Sequence, residues 1–418
     1  MRYPLRALFL TVFAVSAMAS CGLFDSPVAE LRTDVPEMAF YAAAFNASQD
    51  RYKIHVRFDD RLAEGLGDSR EKPALAVGRF LKSSESRSNF QSLDYLFSEL
   101  VINQSAFYPV LLEPGNADGR QLLLPVSFNL PLVIFDREME PDMSNSFTVD
   151  LVELEEKGAA WNLESKGSWT KMGFGTRWST EFLYSVMRLF DTNLREGEPL
   201  KWDEAALDRG LAFLRGWTER ANGSALREEE FQFKYLYLPA NKSVQDGRIG
   251  FAAMDSAEFF VIPEERRSSL SFRWLAMEET LPVSDGMVYA GICRRARGKN
   301  AAEAFLKWFY SEETQKSILE DARRFRAAES SFGIAGGFSA IRAVNEKLFP
   351  LFYPSLLGKL PPARYLEAPP ILPAAWPEMK EEVLLPLLLE ATGPNPPADP
   401  GAALEARLQA WVKRRSSQ

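Results

Sequence analysis

Hydrophobic and polar positions along the chain follow two periods, one of helices and one of strands. Met38, Tyr41, Ala42 and Phe45 recur at helical spacing just after Pro36. Proline is favoured in a first helical turn, so the spacing predicts a helix with one buried face. Tyr52, Ile54, Val56 and Phe58 then alternate with Lys53, His55 and Arg57, the period-two pattern of a half-buried strand. Leu122-Leu123-Leu124-Pro125-Val126 and Leu132-Val133-Ile134-Phe135 are unbroken apolar runs, as expected of strands covered on both faces. Phe182, Leu183, Val186, Leu189 and Phe190 return to helical spacing. So do Leu207, Leu211, Leu214 and Trp217, behind Asp203 as a candidate N-cap. Asn300 with Glu303 has the spacing of a capping box ahead of Ala301, Ala304, Phe305, Trp308 and Phe309. Residues 361–400 are proline-rich yet hold Val383-Leu384-Leu385 and Leu387-Leu388-Leu389, which reads as ordered helices with loops. The elements are mixed α and β, with no internal repeat and no linker that cuts the chain cleanly, a picture that two domains sharing several chain crossings would produce.

The first residues stand apart from this pattern. Arg2 and Arg6 precede an apolar stretch from Leu8 to Ala17, too short to span a bilayer, and it ends in Met18-Ala19-Ser20-Cys21. This resembles a bacterial lipoprotein signal, in which the cysteine is acylated and becomes the new N-terminus. Residues 1–20 are therefore expected to be removed, with Cys21 lipidated and 21–30 forming a tether. No later run reaches membrane-spanning length. Removal of Arg2 and Arg6 leaves 47 basic against 57 acidic residues, a net charge of −10.

Composition narrows the chemistry. An acidic chain with no Lys/Arg cluster makes a poor nucleic-acid binder, because phosphate neutralisation dominates such affinity. The only histidine, His55, lies on the polar face of its strand, which argues against zinc sites, Ser-His-Asp triads and Cys-His dyads. Two cysteines, Cys21 and Cys293, cannot build a disulfide framework. The glycines of Gly333-Ile334-Ala335-Gly336-Gly337 lack the Lys of a phosphate loop. Asp59-Asp60 and Glu228-Glu229-Glu230 read as solvated charge runs. No metal, cofactor or catalytic residue is expected. Aromatic residues are plentiful, with 30 Phe, 12 Tyr and 9 Trp, and rings with polar edges suit sugar faces as well as cores.

Several segments in order resemble bacterial extracellular solute-binding proteins of the maltose-binding-like, sugar-binding kind. They are Ala39 to Phe58, Gln121 to Arg137, Asp246-Gly247-Arg248-Ile249-Gly250-Phe251-Ala252-Ala253-Met254-Asp255-Ser256, Gly286 to Ile292, and the helix Ala301 to Ser311. A weaker likeness runs from Trp376 to Trp411. The resemblance implies a two-lobed periplasmic-binding-protein fold, each lobe a sheet flanked by helices, with a ligand cleft between. It places residues 31–127 and 257–308 in an N-terminal lobe and 128–256 and 309–418 in a C-terminal lobe. Crossings would fall near Ser127-Phe128-Asn129, Asp255-Ser256 and Phe309 to Ser311. Ligands of open α/β folds sit just past such strands, so Phe128, Asn129, Asp255, Ser256 and Phe259 are candidate ligand-binding residues. Arg79 and Phe80 follow a strand whose family counterpart offers an aromatic ring where this chain has Gly78. Phe174, Arg177 and Trp178 resemble an aromatic segment of the second lobe, and Trp376 resembles the tryptophan of a late cleft segment. Asn129 stands where maltose-binding relatives carry a ligand-bonding carboxylate, so the sugar need not be maltose. The resemblance further implies a monomeric, lipid-anchored, extracytoplasmic partner of ABC permease subunits that binds without catalysis. A lipid-anchored glycoside hydrolase and a surface adhesin or structural lipoprotein are the alternatives.

Overall fold

The apolar runs become strands of two separate sheets. The structure, a computed structural model, describes residues 25–67 and 71–417; the signal-like segment and Cys21 lie outside the described residues. The first sheet has six strands in the order Phe338–Ser339, Leu124–Phe128, Val288–Ile292, Leu75–Arg79, Val28–Thr33 and Lys53–Phe58. Val28–Thr33 runs parallel to both of its neighbours, whereas Val288–Ile292 runs antiparallel to both of its own. The helix Met38–Ser48 connects the parallel pair and buries Met38, Tyr41, Ala42 and Phe45, the four positions its spacing predicts. Lys53–Phe58 is an edge strand, so its alternation is only partly used: Ile54 is buried, while His55 and Phe58 are exposed.

The second sheet has four strands, ordered Phe251–Asp255, Pro131–Asp136, Leu270–Leu275 and Thr148–Val149. Its two faces serve different cores because side chains alternate across a strand. Val133, Phe135 and Phe251 pack with the helices Thr180–Leu189 and Glu204–Trp217 and with the C-terminal helices. Leu132, Ile134, Phe272 and Trp274 belong to the other cluster, where Trp274 meets Phe338 of the first sheet at 5.8 Å between ring centroids. The proline-rich region is ordered, and Val383, Leu384, Leu385, Leu387 and Leu388 are buried in it.

The chain leaves the first sheet between Phe128 and Pro131, where the likeness placed the first crossing. The next two crossings lie elsewhere. Leu270–Leu275, expected in the N-terminal lobe, pairs antiparallel with Pro131–Asp136 in the second sheet, so the return falls between Leu275 and Val288. That strand is buried on every residue, with Leu270, Phe272 and Trp274 in one core and Leu275 in the other. Phe338–Ser339, expected in the C-terminal lobe, pairs with Leu124–Phe128 in the first. The last passage therefore follows it, before the helix Trp376–Met379 joins the second core.

The capping box is also replaced. The helix Lys299–Phe309 starts behind Gly298 in the left-handed region (φ 83°) with no side-chain cap from its own first turn. Its free N–H groups at Gly298 and Asn300 donate to the two oxygens of Asp25, each at 2.7 Å. Glu303 instead accepts from the Tyr95 hydroxyl at 2.5 Å. A carboxylate from the start of the chain supplies what Asn300 was expected to supply, satisfying two orphan donors.

Candidate functional site

The two segments that pass between the sheets near residues 129 and 284 and the helix start at Ser256 are tied to one another by short polar side chains. Ser256 N–H donates to the Leu130 carbonyl at 3.0 Å. The Ser256 hydroxyl accepts from Leu130 N–H at 3.1 Å and donates to Asn129 Oδ1 at 2.8 Å. Ser284 N–H donates to the Asn129 carbonyl at 2.9 Å, and its hydroxyl to Asp255 Oδ2 at 2.6 Å. Asn129 Nδ2 reaches the Gly336 carbonyl at 2.8 Å. The side chains of Asn129, Asp255, Ser256 and Ser284 thus take up backbone and side-chain partners where the strands have ended, as buried polar groups require.

Beside the joint lies a cavity of about 590 Å³ lined from both lobes, a size typical of small-molecule sites. The first lobe contributes Arg79, Phe80 and Ser127, and the second Tyr184, Arg188, Trp376 and Lys380. Phe80 is half-buried and packs against both hydrophobic cores. Its backbone sits in the left-handed region at φ 58°, which costs a non-glycine residue about 1–2 kcal/mol. Strain of that kind clusters at functional sites. Gly78, two residues earlier, has no room for a ring: a Cβ there would stand 2.6 Å from Asp34 Oδ1 and 2.8 Å from Leu62 Cδ2. Asp34 uses that space to accept from Arg79 N–H at 3.2 Å, and burial lifts its carboxyl to about 6 despite the Arg79 charge.

Two carboxylates of the cavity are held in opposite ways. Asp285, on the turn into Val288–Ile292, points into the second lobe. It accepts from the Tyr184 hydroxyl at 2.8 Å, Trp376 Nε1 at 2.7 Å and Lys380 Nζ at 3.2 Å. Arg188 Nη1 stands 3.9 Å away and donates to the Val283 carbonyl. Burial alone would raise its pKa, but the charges of Lys380 and Arg188 outweigh burial and hold Asp285 below the usual range. Asp255 has no such compensation. Burial, with the like charges of Glu258 and Glu181 nearby, lifts it to about 6 against its bonds from Ser284 and Ala257 N–H.

Of the residues singled out from the sequence, Arg79, Phe80, Asn129, Asp255 and Trp376 line the cavity. Trp376 does so from within the core, 1 % exposed and 5.9 Å from Tyr184 between ring centroids. The other six are elsewhere. Phe128 is buried against Tyr108 and Phe338, and Ser256 is spent in the joint. Phe259 packs on Phe272, and Phe174 sits between Phe182 and Trp217. Arg177 is a buried cation bound to Glu229 at 2.7 Å. Trp178 stacks on Phe231 at 5.7 Å and donates to the Glu228 carbonyl. Glu228 itself, read as solvated, is fully buried and accepts from Asn222 Nδ2 at 2.7 Å. Sequence reading missed Tyr184, Arg188, Asp285 and Lys380. The pairs Tyr184/Arg188 and Trp376/Lys380 are four residues apart, a spacing that puts two side chains on one helix face. That was the available signal.

Among the described residues, no cluster of three His, Cys, Asp or Glu side chains is placed to hold a metal ion, and no helix is long and apolar enough to cross a membrane. Cys293 is a buried free thiol, pushed up to about 12 by burial.

No protein-family model matches the chain, and no curated protein matches it in sequence. Solved structures do match in fold. The sugar-binding protein MalE from the phytopathogen Xanthomonas citri superimposes with a TM-score of 0.67 at 13% identity, covering 93% of this chain and 98% of its own. A sugar transporter from Rhizobium etli, in an open conformation, gives 0.64 at 13% identity, with 92% and 99% covered. The cyclic alpha-maltosyl-1,6-maltose binding protein from Arthrobacter globiformis gives 0.61 at 14% identity, with 92% and 97% covered. The chain thus has the two-lobed fold of these proteins over nearly its whole length.

Proposed function

We propose that the protein is the substrate-binding component of an ABC importer, which captures a saccharide between its lobes and delivers it to permease subunits. The observation that carries this reading is the cavity beside the joint, lined from both lobes, with the Phe80 ring on one wall and hydrogen-bonding groups around it. Solved proteins of this fold include a mannotriose complex and a cycloalternan complex, so the fold accommodates oligosaccharides elsewhere. A ligand touching both lobes favours their approach by its differential contacts, and that closed form is the one a permease would read. Cys21 would hold the protein to a membrane by lipid, in an extracytoplasmic compartment, working as a monomer without cofactor or catalysis. The test is calorimetry and melting of the purified protein against mono- and oligosaccharides. A saccharide that raises the melting temperature and is recovered intact supports binding without turnover. Cleavage would favour the hydrolase, and no response to any saccharide would remove the carbohydrate assignment.

A further inference from the structure

A second set of contacts joins the lobes away from the joint, and it does not involve the cavity-lining groups. The short helix Ser84–Arg87 of the first lobe begins four residues after Phe80. Glu196, on a hairpin whose neighbours Leu194 and Leu200 belong to the second core, places its carboxylate over that beginning. It accepts from Ser84 N–H at 3.0 Å through both oxygens and from the Ser84 hydroxyl at 2.9 Å. A carboxylate is favoured there because free N–H groups and the helix dipole meet it. On the adjoining helix Leu62–Gly65, Glu64 pairs with Arg415 of the C-terminal helix, which also binds Glu378 at 2.5 Å. Lys82, 7 % exposed, donates to the Pro369 carbonyl on the last passage between the lobes at 3.1 Å.

We propose that these contacts form a latch at the rim of the cleft, by which protein groups alone hold the lobes together on the side next to Phe80. The Ser84–Glu196 and Glu64–Arg415 contacts need the lobes close, and none of the three needs a ligand. The latch therefore adds to the stability of the closed arrangement whatever occupies the cleft. Apparent affinity scales with the fraction of molecules in the competent state, so Glu196 and Arg415 would tune binding without touching the bound molecule. This inference stands independently of what the cleft binds.

Small-angle X-ray scattering of the purified parent and of the Glu196→Ala/Arg415→Ala variant, without added ligand, tests it. The parent profile should fit the closed arrangement, and the variant should show a larger radius of gyration with an unchanged circular dichroism spectrum. Equal profiles for the two proteins, or a parent profile that fits only separated lobes, would overturn the latch. Should the double variant fail to fold, hydrogen exchange of Glu196→Gln decides. Faster exchange at the Ser84 amide, with exchange at Val77 in the first sheet unchanged, supports the latch; an unchanged Ser84 amide sinks it.

Discussion

At the scale of single residues, Asp255 and Asp285 are both enclosed carboxylates, yet their surroundings give them opposite dependence on pH. Asp255 titrates near 6 in the folded protein, above the value of about 3.9 for an unfolded aspartate. Folding therefore binds protons there, and the contribution to stability present below about pH 4 is lost as pH rises through 6. Asp255→Asn keeps the acceptor for Ser284 and Ala257 N–H. Its melting temperature should match the parent near pH 4 and exceed it by pH 7; a constant difference would refute the assignment. Asp285 is held low, so its contribution is present above the unfolded aspartate range and is lost as pH falls below it. Asp285→Asn removes one partner from buried Lys380 and Arg188 and should cost about 3–5 kcal/mol at pH 7, read by urea denaturation. Phe80 carries the ligand claim. Phe80→Leu retains much of the apolar volume while removing the ring face, so it should weaken saccharide binding by about five- to a hundredfold with little loss of melting temperature. Unchanged affinity would make the ring a packing wedge only.

At the scale of elements, the hydrophobic period was readable wherever a helix or strand buries one clear face. Met38 to Phe45 and Leu207 to Trp217 fall where spacing places them, and Asp203 caps its helix by accepting from Ala206 N–H at 2.8 Å. What spacing could not supply was the cap of Lys299–Phe309, because the group that provides it lies 273 residues away in sequence. Asp25→Ala should cost about 1 kcal/mol in urea denaturation, the usual loss for a cap, whereas Asn300→Ala should be nearly neutral. A larger effect at Asn300 would restore the local capping box. The same limit explains the six candidates that missed the cavity. Phe174 and Trp178 share a segment with a plausible cleft motif, but ring partners from distant helices draw both into cores.

At the scale of the whole molecule, binding and folding are linked. A saccharide at 100 times its dissociation constant should stabilise the protein by about 2.7 kcal/mol, and the melting temperature should climb with concentration instead of saturating at one equivalent. The anchor is a separate matter of sequence. Cys21→Ser should abolish incorporation of labelled fatty acid and leave an unprocessed precursor, and equal labelling of variant and parent would end the lipoprotein reading.

The sequence by itself determined that the fold mixes helices with doubly covered strands, while a first crossing near Ser127 to Asn129 and cleft places for Phe80 and Asp255 were implied only by the likeness of short segments to a family. The mixture of elements follows from periodicity, a local property of the chain; the crossing and the cleft follow from the resemblance. Only the tertiary structure decided which sheet takes Leu270–Leu275, since a strand apolar on both faces fits either sheet until its neighbours are present. It alone gathered Tyr184, Arg188, Asp285, Trp376 and Lys380 into one buried cluster. Charge pairing in a low-dielectric interior depends on distances of a few ångströms between groups up to two hundred residues apart, and no periodicity along the chain encodes that.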